Sequence, residues 1–205
     1  MDEITKLIQS VFLGQTNGSL PRAVAFCGVN RGVGSTWVCA RTGELLAEVS
    51  GATVCLLDGN LRSPALHLEC GAPNSLGFAD LMRSSRPASE YAQKIAPDVW
   101  LLTAGTPDAP IGALLNANSL GQRFVELRAA FDFLVVDTPA LNVWSDALLL
   151  GRMADGVVMV VGSDSTRREA ARNAKASLEM AQVSVLGAVL NRRTFPIPDA
   201  IYTKI

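Results

Sequence analysis

Residues 23–36 read AVAFCGVNRGVGST, and the order of those residue types decides the architecture. Ala23 to Gly28 form a run with no polar alternation. Such a run reads as a strand covered on both faces, the kind that parallel sheets use. It passes into a loop carrying Gly28, Gly32 and Gly34, and a helical pattern follows from about Thr36 to Val49. A glycine-rich loop between a strand and a helix lets backbone amides converge on an anion with no Cβ in the way.

Outward from that unit, further strands are predicted at 53–59, 99–105, 131–138, 156–163 and 183–191. Helices are predicted at 119–130, 145–152 and 166–181, and residues 60–97 read as irregular apart from a short helical piece near 78–83. Strands that alternate with helices and are themselves continuously apolar predict an α/β fold: three layers, a mostly parallel sheet, helices on both faces. With 205 residues and no linker composition, the chain is read as one domain, with residues 1–20 as an N-terminal helix and lead-in.

Composition narrows the function classes. Hydrophobic residues make up 49% and charged residues 18%, which indicates a globular chain. A formal net charge of -1 gives no field to recruit nucleic acid. Cys27, Cys39, Cys55 and Cys70 have no C-x-x-C spacing and His67 is the only histidine, so a zinc site is not expected. The cysteines read as small buried apolar residues in a reducing, cytoplasmic setting. No apolar run has the length of a membrane span, so a membrane role is expected to run through a partner.

Three motifs carry the chemistry. The first is the loop itself, which approaches G-x-x-x-x-G-K-[ST]. Thr36 stands where a hydroxyl ligates Mg²⁺, but Ser35 stands where the pattern has lysine. That lysine neutralises phosphate charge; serine offers only a hydrogen bond. Trp37 follows, with bulk enough to narrow the site, and Arg31 is the nearby cation within the loop. Arg31, Gly32, Val33, Gly34, Ser35, Thr36 and Trp37 are therefore the candidate nucleotide-binding stretch. Taken alone, the loop can equally be a glycine-rich turn without a ligand. The second motif is Asp58, ending the apolar run at 53–58, and the third is Asp137 at the end of LVVD. A carboxylate at the carboxyl end of a buried strand, beside the phosphate loop, is placed to hold a metal or orient a nucleophile.

These stretches resemble the bacterial tyrosine autokinases of capsule and exopolysaccharide export, within the wider group of MinD and ParA ATPases. FCGVNRGVGST (26–36), LLDGNLRSPALH (56–67), LLTAGTPDAPIGALL (101–115), FDFLVVDTPALNVWSDALLL (131–150) and GAVLNRR (187–193) carry the resemblance. It implies ATP or ADP with Mg²⁺ as cofactor. Thr36, Asp58 and Asp137 would lie at the metal, Asp58 would act as the base for a tyrosine hydroxyl, and Asn191 would contact the adenine. It also implies a membrane polysaccharide co-polymerase, the chain-length protein, as partner, a place at the inner face of the plasma membrane through it, and assembly into a homo-oligomeric ring.

The chain departs from the family pattern at Ser35, at Asn60 in place of a second acid, and at a tail with Tyr202 alone where the family has a tyrosine cluster. Glu3, Lys6 and Gln9 are a weakened form of the helix motif used in ring assembly, and Tyr91 is the other tyrosine. Each change removes something a kinase needs, so the expected function is a catalytically impaired partner or regulator in polysaccharide synthesis. Two alternatives stay open: an active kinase or ATPase using Arg31 or a partner's residue, and a MinD- or ParA-like positioning ATPase.

Overall fold

The structure is a computed structural model and describes residues 3–14 and 20–192. Tyr202, the tail around it and residues 15–19 of the lead-in lie outside the described residues.

In chain order, α1 (Glu3–Val11) precedes β1 (Ala23–Gly28), α2 (Ser35–Ser50) and β2 (Val54–Asp58). The short helices α3 (Leu66–Glu69) and α4 (Phe78–Leu81) follow, then a 3-10 turn at Ala88–Tyr91 and the pair β3 (Gln93–Ala96) and β4 (Val99–Leu102). The rest is α5 (Ile111–Leu114), α6 (Ala117–Ala130), β5 (Phe133–Thr138), α7 (Asp146–Met153), β6 (Gly156–Gly162), α8 (Arg168–Met180) and β7 (Val185–Asn191).

The strands form one sheet in the order β3-β4-β2-β5-β1-β6-β7, parallel throughout except for the β3–β4 pair. β1, β2 and most of β5 and β6 are buried residue by residue, as their unbroken apolar runs require. Alternate residues serve opposite faces. Ala23, Ala25 and Cys27 join a core with Phe78 and Leu81 of α4, Phe124 and Leu127 of α6, Leu150 of α7 and Leu178 of α8. Val24 and Phe26 join a second core with Ile8 of α1, Leu46 of α2 and Leu66 of α3. Helices thus cover both faces, the three-layer arrangement expected from the sequence.

Sequence reasoning missed β3, which lies inside the stretch read as irregular. Of its four residues, QKIA, three are only half-buried and Lys94 is exposed. It is an edge strand, too short to show a pattern. Of the cysteines, Cys27, Cys39 and Cys55 are buried and Cys70 is half-buried, all as free thiols. Burial pushes Cys27 and Cys55 up to about 12, far from a reactive thiolate. Among the described residues, no helix is long and apolar enough to cross a membrane.

Candidate functional site

Parallel strands end on the same side, so the carboxyl ends of β1, β2 and β5 present Gly28, Asp58 and Thr138 to one crevice. Asp58 and Asp137 are register partners on neighbouring strands, and Phe26 of β1 is level with Asp137. The loop 28–36 rises from β1 over this edge and returns as α2. Gly34 caps α2 with φ 83°, a left-handed conformation that a side chain resists. A Cβ on Gly34 would lie 2.5 Å from the side-chain nitrogen of Asn191. No side chain caps the helix, so its first amides face the crevice free of intrahelical partners.

A cavity of about 300 Å³ opens here, lined by the loop from Asn30 to Gly32, by Gly34, Ser35, Thr36 and Trp37, and by Trp144 and Arg192. Thr36 donates its hydroxyl to Asp137 Oδ2 at 2.7 Å. The other oxygen, Asp137 Oδ1, is buried without a partner. Burial first, then the neighbouring Asp58 carboxylate, push the Asp137 carboxyl well above the usual carboxylate range. A hydroxyl beside a buried carboxylate with one free oxygen is a donor set of the hard-oxygen kind that suits magnesium. Among the described residues no three His, Cys, Asp or Glu side chains cluster as a metal site, so the remaining oxygens would come from phosphate and water.

Asp58 is also fully buried, but its oxygens are engaged. Oδ1 accepts from Asn60 N–H at 3.1 Å, and Oδ2 accepts from Ala65 and Leu66 N–H at 3.2 and 3.1 Å. The carboxylate therefore staples the 59–66 segment and starts α3. Burial pushes it up to about 6, against the pull of those three amides.

The remaining sequence candidates divide. Ser35 and Thr36 are half-buried on the cavity wall, and Arg31 and Gly32 are exposed on its rim. Trp37 lines the cavity at 46% exposure. Val33 points its side chain into the core and offers only its backbone. Asn191 donates from Nδ2 to Val33 O at 2.8 Å, which ties the end of β7 to the loop.

Sequence reading also missed contacts. Arg62 forms a two-point pair with Asp146, Nε to Oδ2 at 2.5 Å and a second contact at 3.3 Å, and lies 3.7 Å over the Trp144 ring. Both ion-pair partners stand in the quoted motifs, yet nothing in one sequence pairs residues 84 positions apart. Trp144 Nε1 and Asn30 Oδ1 are buried without partners beside the cavity. Tyr91 is 7% exposed, with its hydroxyl accepting from Arg86 Nε.

No protein-family model matches the chain. Among curated proteins, it is 30% identical over 162 residues to tyrosine-protein kinase YwqD of Bacillus subtilis, covering 78% of this chain and 68% of that one. Among solved structures, the kinase domain of the Escherichia coli tyrosine kinase ETK superposes with TM-score 0.80 at 21% identity, covering 95% of this chain and 76% of that one. The MinD protein of Pyrococcus horikoshii, solved with Mg-ADP, superposes with TM-score 0.70 at 21% identity, covering 89% and 76%. At those identities the two structures establish the fold, which is that of P-loop NTPases. The extent of the YwqD match, together with the loop and strand-end motifs, establishes more: the chain belongs to the family of bacterial tyrosine-protein kinases.

Proposed function

We propose that this chain is a kinase-like component of capsule or exopolysaccharide synthesis that holds Mg-nucleotide but transfers phosphate poorly. It would act as a partner or regulator of a membrane polysaccharide co-polymerase, as a single domain at the inner face of the plasma membrane. The carrying observation is a phosphate loop assembled around a serine. Thr36 and Asp137 are already paired, Gly34 turns the helix amides inward, and Ser35 stands on the wall where the family has lysine. Thr36 and Asp137 would hold the magnesium ion, which when bound neutralises phosphate charge. The loop amides would bind the phosphates. Asp58 is buried behind the cavity wall, where it holds the amides of Asn60 and Ala65, and it remains the candidate base. Poor transfer has further support from Tyr91, the tyrosine among the described residues, which is buried and so not offered as an acceptor.

A second reading is an active ATPase or kinase, favoured by the position of Arg31 on the cavity rim. Calorimetry and turnover assays with Mg-ATP and Mg-ADP, on the wild type and on Ser35→Lys, separate the two. A restored charge-assisted contact of about 1.5–3 kcal/mol predicts roughly tenfold to a hundredfold tighter binding in Ser35→Lys. It also predicts a gain of phosphate transfer over a near-background wild type. Wild-type turnover in the ordinary kinase range of about 1–100 s⁻¹ would overturn the impaired reading in favour of the active one. If neither protein binds nucleotide, the assignment of the site itself is wrong.

A further inference from the structure

We propose that Arg192 supplies the cationic contact to bound phosphate that Ser35 does not. This rests on the reading that the cavity holds a nucleotide.

Arg192 follows β7 immediately, and its position is fixed from two sides. Asn191 is in register with Gly162 of β6, and its carbonyl accepts from Ser163 N–H at 2.9 Å. Its side chain is bonded to the loop through Val33 O at 2.8 Å. The Cα of Arg192 is thus anchored both to the sheet and to the phosphate loop. The residue then takes φ 58°, in the left-handed region that non-glycine residues avoid. Strain of this kind collects at ligand sites, where the surroundings hold the backbone in place.

That turn directs the side chain back over the loop. Its Nε comes within 3.9 Å of the point a Cβ on Gly34 would occupy, one residue before Ser35. Arg192 lines the same cavity as Ser35 and Thr36. Arg192 is exposed, and among the described residues no carboxylate lies within ion-pair distance of it. Among the described residues every arginine that is buried or half-buried has a partner by contrast: Arg62 has Asp146, Arg123 has Glu126 and Arg128 has Asp155. Arg31 lines the cavity as well, but it rides on the exposed loop beside Gly32, whereas the backbone before Arg192 is bonded to both β6 and the loop. Arg192 is the better-held cation. A guanidinium presents its N–H groups as a planar fork that matches two phosphate oxygens, so it serves phosphate at least as well as an ammonium.

Calorimetry on the full chain with Mg-ADP, Mg-ATP and pyrophosphate tests this, using wild type, Arg192→Ala, Arg192→Gly and Arg31→Ala. Both Arg192 variants should bind Mg-ADP and pyrophosphate roughly tenfold to a hundredfold more weakly than wild type, the effect of one charge-assisted contact. Arg31→Ala should lose less. Arg192→Gly removes the charge and also the backbone strain, so it should melt at or above the wild-type temperature while binding more weakly. A residue of purely structural importance would not separate the two readouts in that direction. Arg192 variants that bind within twofold of wild type would overturn this inference and leave the nucleotide reading intact. A wild type that binds none of the three probes, while Ser35→Lys does, would overturn it too: the charge would be missing, not replaced. Failure of both proteins to bind would bring down the nucleotide reading along with it.

Discussion

Gly34 and Asn191 provide the strictest test of how the loop is held. Gly34 has φ 83°, and a Cβ there would lie 2.5 Å from Asn191 Nδ2, the atom bonded to Val33 O. Gly34→Ala therefore has two costs. An L side chain in the left-handed region costs about 1–2 kcal/mol. Displacing the Asn191 amide loses a hydrogen bond worth about 1 kcal/mol net. The single variant should lose about 2–3 kcal/mol, or roughly 5–10 °C in melting temperature for a chain of this size. Asn191→Ala alone should lose about 1 kcal/mol, since only the bond to Val33 goes. In the double variant the bond is already absent, so the Cβ meets no amide and only the backbone strain remains in addition. The double variant should then be no worse than Gly34→Ala, giving a coupling of about 1 kcal/mol in a double-mutant cycle. Urea unfolding of the four proteins measures it. Additive losses, near 3–4 kcal/mol for the pair, or a Gly34→Ala protein within about 0.5 kcal/mol of wild type, would refute the reasoning.

Three other perturbations have definite outcomes. Arg62→Ala strands the nearly buried Asp146 carboxylate and uncovers Trp144, and should cost about 3–5 kcal/mol in urea unfolding. Arg62→Lys should recover little of this, because an ammonium gives neither the two-point pair nor the flat stacking. Asp137→Asn replaces a carboxyl whose ionised form burial and Asp58 disfavour, so the magnesium-free protein should be at least as stable as wild type in urea unfolding at neutral pH. The same variant should lose the magnesium dependence of nucleotide binding, and unchanged magnesium dependence would count against Asp137 as a ligand. Asp155 tests the opposite sign. Burial would raise its carboxyl, but hydrogen bonds from Arg128, Ala23 and Arg22 overturn that and hold it below the usual carboxylate range. Its contribution is present above the unfolded value near 4 and is lost as pH falls through the lower folded value. Thermal melts from pH 6 downward should show wild type losing more stability below about pH 4 than Asp155→Asn.

The fold was legible where burial is two-sided. β1, β2, β5 and β6 announce themselves as unbroken apolar runs, and Asp58 and Asp137 stand out because a charge ends each of two such runs. β3 was hidden for the converse reason: an edge strand with Lys94 at its centre needs no apolar run. One signal near it was available, since Pro97-Asp98 is a turn dipeptide and Asp98 takes φ 56° before β4. Within the site, residue types were readable and their partners were not. Asp58 read as a metal ligand or base, yet its oxygens meet the amides of Asn60, Ala65 and Leu66. Asn191 read as a base contact, and its amide is on Val33 O. Such contacts follow from how a loop folds back over a strand end, and spacing in the sequence does not encode that. Arg192 went unremarked because a lone arginine after a strand carries no pattern of its own.

The energetics of the strand ends bear on whether the cavity is a relic or a working binding site. Asp58 and Asp137 are both fully buried and face each other in register on neighbouring strands. Raising Asp58 from 3.8 to about 6, with its three amide hydrogen bonds already counted, corresponds to about 3 kcal/mol at neutral pH, and Asp137 is shifted in the same direction by burial and by Asp58. That is a large fraction of the 5–15 kcal/mol or so by which a domain is stable. Without its three amides the cost at Asp58 would be higher still; Asp137 has one oxygen on Thr36 and the other on nothing. A scaffold needed only for its shape would be more stable with a neutral side chain at 137. The same carboxylate becomes favourable once a divalent cation sits beside Thr36, because a positive charge reverses both the burial and the like-charge effects. The arrangement is therefore best balanced when loaded. On the proposed reading, serine in place of lysine at position 35 would lower the rate of phosphate transfer more than occupancy, since much of such a lysine's effect falls on charge that develops during transfer. A nucleotide-loaded, slowly reacting partner fits both the buried carboxylates and the serine, whereas an empty scaffold accounts for the serine alone.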